Sequence, residues 1–206
     1  MMYEDSNESW SIFTSKDDLL NFVIFTGCMY NLIEDKNFDE ENERWPTNII
    51  ISNFDDLHFE ELKLQWNEWF TNIIDEKISN TNLNGMCSLI EENYDVNSFS
   101  ELKCVELREC CKSAYPHFVD WWNMQAGGKN ALSFYEFMSN NKISEYVSEL
   151  EGKLNKKSKP FKLYLDMVYT GVPNVLDVND NYIIVTPNGY FDLSKDWWLN
   201  KLSKLI

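Results

Sequence analysis

The sequence predicts an α+β fold: a predominantly helical N-terminal region over about residues 1–155, then a small antiparallel β-meander, then a C-terminal helix. Three observations carry this. Apolar residues recur at three- and four-residue steps before residue 155, they alternate one by one after Lys156-Lys157-Ser158-Lys159-Pro160, and they return to helical spacing after Ser194. With 44% apolar and 15% aromatic residues in 206, the chain has ample material for a core. The expectation is a single domain over 1–206, divisible, if anywhere, near 156–160 into a helical region over 1–155 and a β-rich region over 161–206.

The elements follow in order. Residues 1–10 are polar and acidic and are expected to fray. A helix is expected from Thr14 or Ser15, with Asp17 and Asp18 in its first turn, to about Ile33. Its apolar residues (Leu19, Leu20, Phe22, Val23, Ile24, Phe25) almost encircle the axis, the mark of a central helix. The carboxylate-rich segment Glu34–Glu43 reads as a loop ending at Trp45-Pro46, and Asn48–Phe54, with three successive isoleucines, reads as a short buried strand. Leu62, Trp66, Trp69, Phe70, Ile73 and Ile74 then mark the clearest amphipathic helix in the chain.

Gly85 breaks that pattern, and residues 86–93 are expected to add a short helix. A further helix is expected from Ser98 or Ser100 to just before Pro116, with helix resuming over 117–125 until Gly127-Gly128. Two more helical segments run through Ser133–Ser139 and through Ile143, Tyr146, Val147, Leu150 and Leu154. Phe161–Tyr169 has strand periodicity, Val175–Val178 and Tyr182–Thr186 are further strands, and Asn188-Gly189 predicts a hairpin leading into Tyr190–Leu193. Ser194 caps the closing helix, which carries Trp197, Trp198, Leu202 and Leu205.

Charge is unevenly distributed. The formal net charge is −16, and residues 1–110 hold 24 Asp and Glu against 7 Lys and Arg, whereas residues 111–206 hold 10 against 11. A field of this size bears on partners more than on fold. Sixteen of the eighteen basic residues are Lys, and the one basic cluster is Lys156, Lys157, Lys159 and Lys162, too little for a nucleic-acid groove. No stretch approaches the roughly 20 apolar residues of a membrane helix. The start of the chain is acidic where a signal peptide would be basic and then apolar, so a cytoplasmic protein is expected.

The motifs of common chemistries are absent. His58 and His117, the two histidines, lie far apart with no metal-ligand spacing around them, and read as ordinary surface or helix-end residues. Asp177-Val-Asn179-Asp-Asn181 imitates the start of a calcium loop, but Tyr182 stands where Gly is needed and Asn188 where the bidentate Glu should be, so a polar β-turn is expected. No phosphate-cradling glycine loop and no nucleophile-elbow motif occurs. The five cysteines, at 28, 87, 104, 110 and 111, have neither even number nor framework spacing, and Cys28 and Cys104 read as small buried hydrophobes. In each of the pairs Trp121-Trp122 and Trp197-Trp198, one indole is expected in the core and one at its boundary.

These readings leave no catalytic residue, metal or cofactor to name. The functional expectation is a non-enzymatic acidic inhibitor that binds a basic protein, of the kind an immunity protein is to a nuclease-like toxin. The alternatives are a phage-type anti-defence or nucleic-acid-mimic protein and, further off, a carboxylate-dependent hydrolase. Glu34, Asp35, Asp39, Glu40, Glu41, Glu43, Asp55 and Asp56 are the candidate partner-binding residues, dense in charge and close to expected element ends.

Overall fold

The computed structural model describes residues 2–4, 10–33, 45–46, 56–80, 88–138, 141–169, 171 and 175–206. Along the chain come β1 (Met2–Glu4), β2 (Trp10–Ser15), α1 (Asp18–Met29), α2 (Asp56–Asn80), α3 (Ile90–Asn93), α4 (Val105–Asn123), α5 (Gly128–Met138) and α6 (Asn141–Leu154). They are followed by β3 (Phe161–Met167), β4 (Val175–Asn179), β5 (Tyr182–Val185), α7 (Pro187–Asp192) and α8 (Lys195–Ser203). The α+β class is thus observed, with helices concentrated before residue 155, strands after it and a helix at the end. The expected loop 34–43, the strand over 48–54 and the turn around Gly85 lie outside the described residues.

The sheet differs from a simple meander. Its order is β1-β2-β3-β5-β4, with β4 and β5 antiparallel as expected but β3 parallel to both β2 and β5. A strand occupies the segment expected to be frayed tail and helix start: Trp10, Ile12 and Thr14 are buried while Ser11, Phe13 and Ser15 are half-buried, the period-two pattern of a strand. The helix therefore starts later. Asp17, not Thr14 or Ser15, is the N-cap of α1, its side chain accepting from the Leu20 N–H at 2.7 Å.

Every residue of α1 from Leu19 to Met29 is buried, as its all-round apolarity requires. Helices α2, α3 and α4 pack on it. Phe22 sits among the rings of Trp69, Phe99, Tyr115 and Phe118 at centroid separations of 5.3 to 6.2 Å. Gly27 lets α1 and α2 approach, because a Cβ there would meet the Trp66 ring at 2.6 Å. The Trp66 indole donates to the Val23 carbonyl at 2.9 Å and fixes the same contact.

Three local expectations are corrected. Helix α4 does not stop before Pro116 but runs through it. Pro116 lies on the exposed side of the helix, while Ala114, Phe118 and Trp122 hold the opposite side to the core. Residues 98–104 are turns, not helix. Asp95 accepts from the Asn97 N–H and the Ser98 hydroxyl, and buried Phe99 takes a φ of 48°, so α4 begins only after Cys104. The Asn188-Gly189 hairpin is instead α7, because Thr186 accepts from the Gly189 N–H and Pro187 presets the first helical turn. The Asp177–Asn181 segment does form a turn, closed by the Asn181 N–H on Asn179 Oδ1 at 2.9 Å, and Ser194 does cap α8.

Candidate functional site

Two features stand out: a buried charge cluster at the carboxyl ends of β2 and β3, and the outward face of α2. In the first, register places Ser15 opposite Asp166, on the sheet face that also bears Tyr164 and Tyr182. Lys77, near the end of α2, reaches into this face, with its ammonium 2.7 Å from Asp17 Oδ2 and 3.0 Å from Asp166 Oδ2. The Tyr182 hydroxyl donates to Asp166 Oδ2 at 2.6 Å, and the Ser15 hydroxyl donates to Asp166 Oδ1. Asp17, fully buried, also accepts from the backbone N–H groups of Leu20 and Ser88, each at 2.7 Å.

The electrostatics follow from burial. Desolvation alone would lower the Lys77 pKa, but Asp166 and Asp17 more than offset it and hold the ammonium above the ordinary lysine value. Burial pushes the Asp17 carboxyl up despite Lys77, and pushes the Tyr182 phenol well up. Lys77 is thus a fixed cation between two carboxylates, and both carboxylates are occupied by protein donors. This is the arrangement of a clasp joining α2, the start of α1 and the sheet. A general acid or base would need a carboxyl oxygen open to substrate.

Other reactive groups are quiet as well. Cys110 and Cys111 are buried, and burial pushes the Cys110 thiol up to about 12 and Cys111 well up, so neither forms a thiolate at neutral pH. Cys28 is buried as expected, Cys104 is only half-buried at the start of α4, and Cys87 lies outside the described residues. His58 and His117 are exposed. Among the described residues, no group of three His, Cys, Asp or Glu is placed to hold a metal ion, and no helix is long and apolar enough to cross a membrane. Trp122 and Trp198 are buried and their neighbours Trp121 and Trp197 half-buried, as the helical spacing implies.

The second feature is a surface. Leu62, Trp66, Trp69 and Ile73 form the buried stripe of α2. Leu57 and Leu64 lie one heptad apart, and at about 100° per residue both point nearly opposite to that stripe. They are 78% and 70% exposed. Around them Glu60, Glu61, Glu68 and Asp75 are also exposed, whereas both lysines of α2 are drawn inward, Lys77 into the clasp and Lys63 against the Phe59 ring and Glu60. Helix α4, which packs on α2, adds exposed Glu106 and Glu109.

Of the sequence-derived candidates, Glu34, Asp35, Asp39, Glu40, Glu41, Glu43 and Asp55 lie outside the described residues. Asp56 opens α2, with its side chain outside them too. The α2 leucines and the acids between them escape a reading that weighs charge density alone. Their signal is the seven-residue repeat of Leu57 and Leu64 on the side of the helix away from its tryptophans. Compared with family models, with curated proteins and with solved structures, the chain matches none.

Proposed function

We propose that this protein is a non-enzymatic acidic inhibitor whose helical half docks on a basic protein partner and occludes its working surface, as an immunity protein does with a nuclease-like toxin. The supporting observation is the outward face of α2, where Leu57 and Leu64 stand exposed among Glu60, Glu61, Glu68 and Asp75. Apolar anchors ringed by one sign of charge suit an interface with a small dry centre and a charged rim. The opposite charge on the partner supplies fast, salt-sensitive association. Full occupancy of Asp17 and Asp166 by Lys77 and neighbouring donors favours this reading over a carboxylate-dependent hydrolase.

The test uses the full chain and its charge-reversed form, Glu60→Lys with Glu68→Lys and Asp75→Lys. The wild type is expected to retain a basic protein at low salt, to release it at about 1 M salt where the Debye length is roughly 3 Å, and to abolish that protein's nuclease activity at one-to-one stoichiometry. The triple variant should lose both effects, and Leu64→Asp should weaken them. Retention that is indifferent to salt, or a triple variant that inhibits as well as wild type, would refute the proposal. Inhibition of a nucleic-acid-binding defence enzyme with no toxic action on its own host would favour the anti-defence alternative.

A further inference from the structure

The outward face of α2 carries a repeat that its leucines only begin. Glu61, Glu68 and Asp75 are all exposed and lie seven residues apart, and the line of Leu57 and Leu64 continues at the same interval to exposed Thr71. At about 100° per residue, each acid stands roughly 40° round the helix from the residue of the leucine line four positions before it. The two lines therefore run side by side, and they drift together by about 20° per heptad. Along the axis their repeat is about 10.5 Å. Both lysines of α2 lie off these lines, Lys77 in the clasp and Lys63 against Phe59 and Glu60, so no cation of the helix interrupts them.

Resting on the reading that α2 docks on a basic protein, we infer that the element of the partner seated on it is an amphipathic helix, with an apolar line against Leu57, Leu64 and Thr71 and with Lys or Arg every seven residues against Glu61, Glu68 and Asp75. Spacing selects a helix. Same-face residues of a strand recur at about 6.6–6.8 Å and fall out of step with the lines of α2 after one contact. A second helix laid alongside at about 20° has the same repeat and the same drift, and keeps step along its length. Charge selects the sign. A nucleic acid, or another copy of this acidic face, would bring like charge to the acid line. Three charge pairs beside a short apolar seam fix the register and the direction of approach more than they add affinity.

The probe is a helical peptide of about four heptads with Leu at every seventh position, Lys on both flanks of that line, and Ala and Gln elsewhere. Its control has the same composition, with the lysines moved to the side opposite the leucines. By fluorescence anisotropy at about 50 mM salt, the full chain is expected to bind the first peptide roughly tenfold more tightly than the control. Leu64→Asp should lose that preference. Glu61→Lys with Glu68→Lys and Asp75→Lys, with an unchanged circular dichroism spectrum, should transfer it to the peptide pair in which Glu replaces Lys. The inference is overturned if the two isomers bind equally, if neither binds, or if the charge-reversed chain still prefers the lysine peptide. Failure of the inhibitor reading shows separately. A chain that discriminates the peptides yet inhibits no nuclease keeps the helical partner and loses the inhibitory role, and a chain that inhibits without discriminating them does the reverse.

Discussion

Two lysines, one half-buried and one fully buried, hold helices to the sheet, and they do it on different terms. Lys77 of α2 lies between Asp17 and Asp166, both withdrawn from water, in a cluster that also engages β5 through Tyr182 and the backbone at residue 88. Lys201 of α8 is more deeply buried, but its ammonium pairs with Asp177, whose side chain is 43% exposed, and donates to the Asn179 carbonyl of the β4–β5 turn. One cation neutralises charge that has no other solvent. The other satisfies itself at the rim of a turn that water can reach. The worth of a buried charge is therefore set by what its loss would strand, more than by how deeply it lies.

Replacing each lysine gives the largest and one of the smaller effects. Lys77→Met should cost about 3–5 kcal/mol in denaturant unfolding, because it leaves two buried carboxylates without a counter-charge. A loss below about 1 kcal/mol would make Lys77 an ordinary surface pair. The pH dependence sharpens the same point. Lys77 binds its proton more tightly folded than unfolded, so its contribution is complete below the ordinary lysine value of 10.5 and is lost as pH rises through the higher folded value. Wild-type stability should thus fall faster above that point than Lys77→Met stability does, and parallel slopes would remove Lys77 from the account.

Asp166→Asn should cost less than the loss of Lys77, roughly 1–3 kcal/mol, since Lys77 keeps Asp17 and the amide still accepts from Tyr182. Lys201→Met should lie within about 1 kcal/mol of wild type, because Asp177 can hydrate and the methionine fills the same channel. If it matched Lys77→Met, the contrast between the two clasps would collapse. Leu57→Ala with Leu64→Ala should change thermal stability least, within about 0.5 kcal/mol. Any larger loss would mean that these leucines are packed against the molecule instead of presented by it.

The regions of the fold legible in the sequence are those whose causes are local. The encircled apolar pattern of α1, the tryptophan stripe of α2, the Ser194 cap and the Asn179 turn each depend on neighbours within a few residues. Strand β2 is not legible, because six alternating residues followed by acids also resemble a helix entrance, and because its partner β3 lies some 150 residues away. The clasp is hidden for the same reason, although one mark is present: Lys77 continues the buried stripe of Trp66, Trp69 and Ile73 by one further step of four. A lysine on the core side of a helix asks for a counter-charge. Only the sheet register reveals that Asp166, the one acid of β3, supplies it together with Asp17.

The parallel pairing of β2 with β3 also sets a timetable. Ser15 and Asp166 are separated by 151 residues, so no ribosome-bound chain can pair β2 with β3 until nearly four-fifths of it has been made. At synthesis rates of about 5–20 residues per second, β2 waits roughly 8–30 s for its neighbour. Throughout that interval the edge of β2 that β3 will cover is open. A ribosome that stalls before Phe161 releases a chain with every helix-forming segment of the acidic half and no completed sheet to hold them.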